Sequence, residues 1–298
     1  MERPRGAGGG VPDCRLKQVR IEGKKGDRME DRRAKLKTWV RQKPWISNIA
    51  QWALDPAFTP RYLVCRWVES VPGLVLNFGA GSRSYGARVV NLDVEPAMGV
   101  QVVNQSGGVP FKTGTFNGVL MEYVLEHVPD VSPLLSEVYR ILKPGAQVLI
   151  TVPFKQNFHA CPNDYWRFTE QGIRLVLQRL GFEQIEVKVY GGPVSAWINA
   201  TKEFLATILS LGIPLFYDIL SQLLILPFIP LRYADILLRH LPVAKYTAFS
   251  FIIRASKKGV FSAGNEVNWA ENIMPDPRYS VRKDGDIYWV VPIVRELA

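Results

Sequence analysis

Two glycines and one carboxylate, spaced along a short stretch, are the residues of this chain best suited to hold a ligand. Gly79 and Gly81 follow the apolar run 74–78, and Asp93 follows a second apolar stretch at 89–92. Glycine lets backbone N–H groups approach a ligand where a side chain would clash, and an acid at the tip of the next strand can accept hydrogen bonds from two ribose hydroxyls. The pattern predicts a nucleoside site between two strands.

The spacing between the glycine turn and the acid discriminates among nucleoside ligands. Dinucleotide sites usually place a full helix between the two, about 20 residues from one to the other, whereas Gly79 and Asp93 are 14 positions apart. An ordinary helix needs roughly 11 to 12 residues, so residues 82–88 have room for one or two turns. A ligand with a small zwitterionic end is favoured over a pyrophosphate, and S-adenosylmethionine is such a ligand.

Charge is concentrated at one end of the chain. The 298 residues are 47% apolar and carry a formal net charge of +10. Residues 1–43 hold 14 Lys or Arg against 6 Asp or Glu, and residues 44–298 hold 23 against 21. The nearly neutral remainder argues against a nucleic-acid groove on the domain itself. Three cysteines without metal-ligand spacing indicate neither a zinc site nor a disulfide framework, and no apolar signal segment follows the basic start, so a cytoplasmic protein is expected.

Composition divides the chain into four regions. Residues 1–30, rich in glycine, proline and charge, are expected to form a disordered basic arm. Residues 31–70 place tryptophans among Lys and Arg and are expected to form a helical cap, or alternatively a surface that touches acidic lipid or RNA. Residues 71–260 are expected to form the main domain, and no chemistry is readable in the extension 261–298.

Strand and helix patterns alternate after residue 71, which is typical of a mainly parallel α/β sheet. Helices are predicted at 131–142 and 169–180. Strands are predicted at 74–78, 89–92, 100–104, 117–123, 146–152, 184–190 and 247–254.

An apolar segment interrupts the last part of this pattern. Residues 204–231 contain a single charge, Asp218, and are long enough to cross a bilayer. Asp218 and several prolines weaken that interpretation, and the strand 247–254 requires the chain to return to the same sheet. We therefore expect a helical insertion over 197–243 that packs over the sheet or pocket, with a membrane-facing hairpin and then a true span as the alternatives.

Several motifs, in matching order, carry a family resemblance over about 120 residues. They are LNFGAG at 76–81, NLDVEP at 91–96, VPFKTGTFNGVLMEYVLEHVPD at 109–130, LLSEVYRILKPGAQVLITVPF at 134–154, and NDYWRFT at 163–169 with LGF at 180–182. Together they resemble the class I S-adenosylmethionine-dependent methyltransferases, specifically the type 11 branch. The resemblance implies an α/β, Rossmann-like, seven-stranded, mostly parallel sheet with a shortened first helix and the apolar insertion before its last strand.

The resemblance also implies which residues contact S-adenosylmethionine. The glycine turn would pass under the methionine part, the acid would hold the ribose, the residues after the third strand would contact adenine, and the turn after the fourth strand would lie beside the sulfonium. These residues are Asn77, Gly79, Ala80, Gly81, Asp93, Gln105, Ser106 and Tyr123, with 122–127 as the wall. Amides replace frequent acids at Asn77, Gln105 and Asn117, which weakens the expected affinity and leaves a cofactor-binding protein without transfer activity as an alternative.

Methyl transfer needs positioning, exclusion of water and, for some acceptors, removal of a proton, but no metal. The candidates for proton transfer follow the fourth and fifth strands, where α/β sheets bind ligands. They are His127, His159, Asp164 and Tyr165. His127 is expected to be structural before catalytic. Trp166 and Arg167 are candidates for binding the acceptor, or for docking the loop on the sheet.

Motifs of nucleic-acid methyltransferases are missing after the fourth strand, where Glu122-Tyr123-Val124-Leu125 stands. The sequence therefore predicts a methyltransferase acting on a small, hydrophobic or lipid-linked acceptor, more often at oxygen, with peripheral membrane contact through 204–231. An RNA methyltransferase that uses the basic arm is a lesser alternative. The sequence indicates no oligomeric state.

Overall fold

A computed structural model describes residues 59–105, 108–159, 163–260, 270, 273 and 279–292. The predicted basic arm, most of the predicted cap and Ser106 lie outside these residues. The first described helix, α1, is Arg61–Ser70.

In the described residues nine strands form one sheet. In chain order they are β1 Val75–Phe78, β2 Val89–Asp93, β3 Val102–Asn104, β4 Phe116–Glu122, β5 Leu142–Pro153, β6 Phe182–Gly191, β7 Ser250–Lys257, β8 Tyr279–Asp284 and β9 Ile287–Pro292. Their order across the sheet is β6-β7-β5-β4-β1-β2-β3-β9-β8. Strands β5, β4, β1, β2, β3 and β9 run parallel, while β7 is antiparallel to both β5 and β6.

Helices cover both faces of this sheet. Helices α2, Val131–Ile141, and α3, Glu170–Arg179, follow β4 and β5. Because side chains alternate along a strand, Val119 and Met121 of β4 pack into the same core as α2 and α3, while Leu120 packs with α1 in a second core. This two-sided burial explains why β4 is buried along its whole length.

The observed architecture confirms the predicted fold class, since all seven predicted strands are present. The sheet has two strands more than expected, because the hairpin β8-β9 from the predicted extension pairs β9 in parallel with β3. The first helix, which was predicted to be short, is absent from the described residues between β1 and β2. Residues 82–88, all of them described, contain turns and irregular backbone but no helix.

The apolar insertion lies between β6 and β7. It contains α4, Pro193–Leu209, α5, Pro214–Leu223, and the short α6, Asp235–Leu238, with 3-10 turns between and after them. Buried Asp235 accepts hydrogen bonds from the Val194 and Ser195 amides at 3.0 and 2.8 Å, which fixes α6 to the start of α4. Within the described ranges no single helix has the length and apolar character to cross a membrane. One pair in the same ranges, Pro214–Phe228 and Leu231–Leu238, reaches that length and apolar character together, but it is bent by 58°.

Candidate active site

The glycine turn after β1 adopts a backbone that other residues rarely accept. Gly79 and Gly81 have φ angles of +70° and +55°, a region in which residues with a Cβ are strained. A Cβ on Gly79 would lie 2.6 Å from Cγ2 of Val124, whereas a Cβ on Gly81 would have nothing within 4 Å. The turn therefore packs under the end of β4 at Gly79 and presents bare backbone to open space at Gly81.

Asp93 ends β2 beside this turn, as the sequence predicts. Its Oδ2 accepts a hydrogen bond from the Gly81 amide at 2.7 Å, and its Oδ1 accepts one from the Glu95 amide at 3.1 Å. The residue is half-buried, and each carboxylate oxygen can accept a further hydrogen bond. Turn and acid are thus locked together while the carboxylate remains able to receive ribose hydroxyls.

Asn77 was predicted to contact the cofactor, but it is buried and turned inward. Its side-chain N–H groups donate to Oδ1 of Asn91 at 3.0 Å and to the Arg83 carbonyl at 3.2 Å. Asn91 in turn donates to the Gly99 carbonyl at 2.8 Å. The side chain of Asn77 therefore uses its donors within the protein, where it supports the 82–88 loop through the Arg83 carbonyl. Pairing with Asn91 explains why an amide stands at this position.

Three further residues predicted to contact the cofactor, Tyr123, Gln105 and Ala80, differ in their exposure and contacts. Tyr123 has a φ angle of +54°, and its hydroxyl donates to Ser250 of β7 at 2.8 Å, so its ring is directed toward β7. Gln105 is exposed directly after β3, in the predicted adenine position. Ala80 is buried and its amide donates to the Leu92 carbonyl at 3.0 Å.

An ion cluster beneath the turn was missed by sequence reasoning. Buried Glu122, at the end of β4, accepts a hydrogen bond from the Tyr85 hydroxyl and lies 3.3 Å from Nη1 of Arg83. Burial, together with the Glu122 charge, raises the pKa of Tyr85 well above its ordinary value, so this phenol stays protonated. Arg83 and Tyr85 lie in a loop without periodicity, and no local signal in the sequence pairs them with an acid 37 to 39 positions later.

The candidate histidines meet at a second cluster beyond β4. The 3-10 turn Leu125–His127 follows β4, and the loop after β5 brings His159 to it. Nε2 of His127 lies 4.0 Å and Nε2 of His159 lies 3.8 Å from Oε1 of Glu126. Glu126 is completely buried, and neither of its carboxylate oxygens has a hydrogen-bond partner within the described part of the chain.

Asp164 and Arg167 form a clamp within the loop that carries His159. The guanidinium of Arg167 donates to both carboxylate oxygens of Asp164 at 2.6 Å, and its remaining N–H groups donate to the carbonyls of Gln156 and Asn157 at 2.7 and 2.8 Å. Burial raises the pKa of the Asp164 carboxyl, but the bonds from Arg167 and the His159 amide outweigh it and lower the pKa to about 2. The Asp164 carboxylate is therefore held by Arg167 and by the His159 amide.

Trp166 and Tyr165 dock this loop on the 3-10 turn. Nε1 of Trp166 donates to the Val128 carbonyl at 2.8 Å, and the Tyr165 amide donates to the Glu126 carbonyl at 2.7 Å. Both aromatic side chains are nevertheless more than two-fifths exposed. These two residues therefore dock the loop, and their side chains also expose aromatic surface.

Comparison with known proteins identifies the domain that holds these sites. Residues 73–150 match the family model described as a methyltransferase domain, of type 11. This region is a type 11 methyltransferase domain of class I. The family recognised in the sequence is therefore confirmed, and with it the expected cofactor, S-adenosylmethionine.

Curated relatives match parts of this methyltransferase domain. The ubiquinone/menaquinone biosynthesis C-methyltransferase UbiE of Desulfotalea psychrophila is 38% identical over 95 residues, which cover 31% of this chain and 37% of the relative. The demethylmenaquinone methyltransferase of Streptomyces avermitilis is 45% identical over 42 residues, 14% of this chain and 18% of the relative. The chain thus spans under half the length of these relatives.

Among solved structures, phosphoethanolamine N-methyltransferase 2 of Haemonchus contortus with S-adenosylmethionine matches at 18% identity. That match covers 70% of this chain and 56% of the other, with a TM-score of 0.41.

The environment of His159 shifts the pKa of its imidazole. Burial lowers the pKa of the His159 imidazole, but the Glu126 carboxylate, the Asn157 carbonyl and Asp164 raise it by more, so its pKa lies above the usual value. The neighbouring charges thus control the protonation of His159, whose ordinary pKa lies close to neutral pH.

A cleft of about 700 Å³ lies away from these groups. It is lined by residues at the amino ends of β2, β3 and β9, such as Val89, Gln101 and Ile287. Since the glycine turn and Asp93 lie at the carboxyl ends of β1 and β2, this cleft is separate from the predicted cofactor site.

Proposed function

We propose that this protein transfers a methyl group from S-adenosylmethionine to a hydrophobic, lipid-linked acceptor. The observation that carries the cofactor part is the bond between the Gly81 amide and the Asp93 carboxylate, because it fixes bare backbone and an accepting acid at adjacent strand ends. Open sheets of this kind bind ligands at the carboxyl ends of their strands.

Different residues of this chain would bind different parts of the cofactor. When bound, S-adenosylmethionine supplies a methyl group activated by the sulfonium charge. The glycine turn offers close backbone, Asp93 accepts from the ribose, and Gln105 after β3 faces the adenine side. Val124 packs against Gly79 and closes the inner wall against water. These roles follow from placement and are part of the proposal.

Proton removal belongs to the cluster on the 3-10 turn. His159 is one-third exposed, so an acceptor hydroxyl can reach its ring, while Glu126 behind it is buried. A base near the operating pH is the most effective catalyst. We assign His159 as the base, with His127 beside it, Asp164 and Arg167 as positioning residues, and Tyr165 and Trp166 as the aromatic surface on which the acceptor lies.

The helical insertion supports the lipid-linked acceptor. Many large apolar side chains on it are about half exposed or more, among them Phe204, Ile208, Leu211, Leu215, Phe216, Leu223, Leu237 and Val243. A water-exposed apolar patch of this extent marks a binding or membrane surface. The side chain of Asn157, in the His159 loop, donates to the Asn199 carbonyl of α4 at 3.1 Å, which joins the insertion to the site.

We infer that this apolar surface lies on the cytoplasmic face of a membrane and passes the acceptor to the loop. Helices that rest in the interface bury an apolar face to a depth of about 5 to 10 Å. The relatives named for ubiquinone and menaquinone biosynthesis support an acceptor of quinone type, which is itself hydrophobic.

The test has two stages. Calorimetry with S-adenosylmethionine and S-adenosylhomocysteine measures binding to the full chain and to Asp93→Ala. Methyl-labelled S-adenosylmethionine is then incubated with the protein and a total lipid extract, and mass spectrometry of labelled products separates methylation at oxygen from methylation at carbon.

Label in the organic phase supports the proposal. Binding without label in any fraction favours the non-catalytic alternative, and label in added RNA favours the RNA alternative. Absence of binding by the wild-type protein overturns the proposal.

A further inference from the structure

The carboxylate of Glu126 is in a position that requires a positive partner. It is completely buried and its two oxygens accept no hydrogen bond from the described residues. Burying an unpaired carboxylate is unfavourable, so such groups are paired with a cation or coordinate a metal. The two nearest imidazole nitrogens are 3.8 and 4.0 Å away, beyond the reach of a hydrogen bond. Neither histidine therefore satisfies Glu126 directly.

The two imidazoles are held so that the same nitrogen of each faces this carboxylate. Nδ1 of His127 lies 2.5 Å from the Asn163 carbonyl, and Nδ1 of His159 lies 3.0 Å from the Asn157 carbonyl. A carbonyl oxygen only accepts, so each Nδ1 carries the hydrogen and each neutral ring leaves a lone pair on Nε2. Histidines that bind a metal are oriented in this way, by donating the other ring N–H to a carbonyl or carboxylate.

The three side chains lie close enough together to close around one cation. One ligand atom each from Glu126, His127 and His159 lies within 4.8 Å of the others. With metal-ligand bonds of about 2.0 to 2.2 Å in a tetrahedral site, two ligand atoms lie about 3.3 to 3.6 Å apart. The rings of His127 and His159 already meet edge to face, with centroids 5.4 Å apart. A closure of about 1.2 to 1.5 Å at the longest separation brings all three ligands into range.

We propose that Glu126, His127 and His159 bind one first-row divalent cation of the zinc type. Two histidines and one glutamate form a known three-residue donor set that leaves a fourth position for water or a substrate oxygen. The His127 and His159 side chains are 21% and 31% exposed, so this position is open to solvent. A cation bound to Nε2 of His159 would occupy the lone pair that the proposed base needs, so the two roles of His159 exclude each other. The site also departs from the sequence-based expectation of no metal, which considered cysteine spacing.

Neighbouring groups hold the site without filling it. Asp164 lies 3.4 Å from Nδ1 of His159, on the side away from Glu126, and is paired with Arg167. Nη2 of Arg167 also lies 3.4 Å from Nδ1 of His159, so the clamp contacts the ring at Nδ1, while Nε2 is directed toward Glu126. The site joins the loop after β5 to the 3-10 turn after β4, so a bound cation would tie the two together.

The test uses the full chain, without a polyhistidine tag, after removal of metals with a chelator. Titration with Zn²⁺ by calorimetry is expected to give one site per chain. The absorption spectrum of bound Co²⁺ is expected to report low-coordinate nitrogen and oxygen ligands. Zn²⁺ is also expected to raise the melting temperature.

The chain provides its own control, because it has three histidines and the third, His240, is exposed on the insertion. His159→Ala and His127→Ala are expected to weaken Zn²⁺ binding by about 100-fold or more, while His240→Ala leaves it unchanged. Glu126→Gln keeps the shape of the side chain and is expected to weaken binding as well. Circular dichroism establishes that each variant is folded.

Two results overturn the proposal. One is a wild-type protein that takes up no stoichiometric Zn²⁺ or Co²⁺. The other is equal uptake by the wild-type protein and by folded His159→Ala and His127→Ala variants, which would assign the metal to the cysteines or to the surface.

Discussion

The Gly81 amide donates to the Asp93 carboxylate across the ends of two neighbouring parallel strands, at 2.7 Å. This bond couples the shape of the glycine turn to the presence of the acid. Residues 82–88 form no helix, so no helical turn supports the glycine turn from that side. The Asp93 carboxylate holds the glycine turn in place instead.

Asp93→Ala is expected to weaken S-adenosylmethionine binding by roughly 10- to 100-fold, because hydrogen bonds to a charged group contribute about 1.5 to 3 kcal/mol. Calorimetry measures the change. Asp93→Asn keeps an acceptor for the Gly81 amide but loses the charge, so it separates the loss of the turn from the loss of the ribose contacts. Equal affinity in all three proteins would contradict this role of Asp93.

Gly79→Ala is expected to destabilise the protein and to abolish cofactor binding. The positive φ angle alone costs about 1 to 2 kcal/mol for a residue with a Cβ, and the new Cβ would lie 2.6 Å from Val124. A second substitution, Val124→Ala, removes the steric overlap but not the backbone strain, so it is expected to restore stability only in part. Thermal unfolding measures both effects.

Gly108→Ala is the matched control, since a Cβ there meets nothing within 4 Å and its φ angle is not positive. A melting temperature of Gly79→Ala as high as that of Gly108→Ala would contradict the assignment.

Local patterns explain what the sequence could predict. Apolar runs, glycine turns and caps act over a few residues, so β1, β2, α2 and α3 were predicted within one or two positions of their observed ends.

Long-range pairing explains what the sequence could not predict. The side chain of Asn77 meets Asn91 because β1 and β2 are parallel in a register that aligns these two residues. Glu122 meets Arg83 because β4 lies on the other side of β1. Such contacts depend on strand order, which no single segment of the chain encodes.

Arg167→Lys is expected to loosen the loop that carries His159. Lysine keeps the positive charge but cannot donate two parallel hydrogen bonds to Asp164 or reach the loop carbonyls with the same geometry. A loss of about 1 to 3 kcal/mol is expected, since these are bonds to a buried carboxylate. Hydrogen exchange of residues 155–168 should increase.

Arg174→Lys tests the same chemical change at a more exposed pair with Glu170, where surface ion pairs contribute about 0 to 1 kcal/mol. Indistinguishable exchange in the two variants would show that the clamp does not hold the loop.

Alkaline pH is expected to loosen the contact between α4 and α5. The Tyr217 hydroxyl donates to Glu203 at 2.5 Å, and this bond, with burial, raises the pKa of Tyr217 to about 12. An unfolded tyrosine loses its proton near pH 10. The stabilisation by the protonated phenol is therefore complete below about pH 10 and is lost as the pH rises through about 12.

Chemical unfolding of wild type and Tyr217→Phe at pH 8 and pH 11.5 measures this contribution. The difference in stability between the two proteins should shrink at the higher pH. A difference that does not change with pH would show that the hydrogen bond is not coupled to the proton.

The exposed apolar surface of the insertion is expected to bind lipid vesicles. Leu215 on α5 and Leu237 on α6 are 52% and 76% exposed, and each buried leucine contributes about 1.5 to 3 kcal/mol when it leaves water. The double variant Leu215→Glu, Leu237→Glu should therefore reduce flotation with phosphatidylcholine vesicles by about 100-fold or more in the partition coefficient. Leu175→Glu on α3, 47% exposed and outside the insertion, should float like the wild type. Flotation that is equally strong in the double variant would assign membrane contact to another part of the chain, and absent flotation of the wild type would remove the membrane from the proposed function.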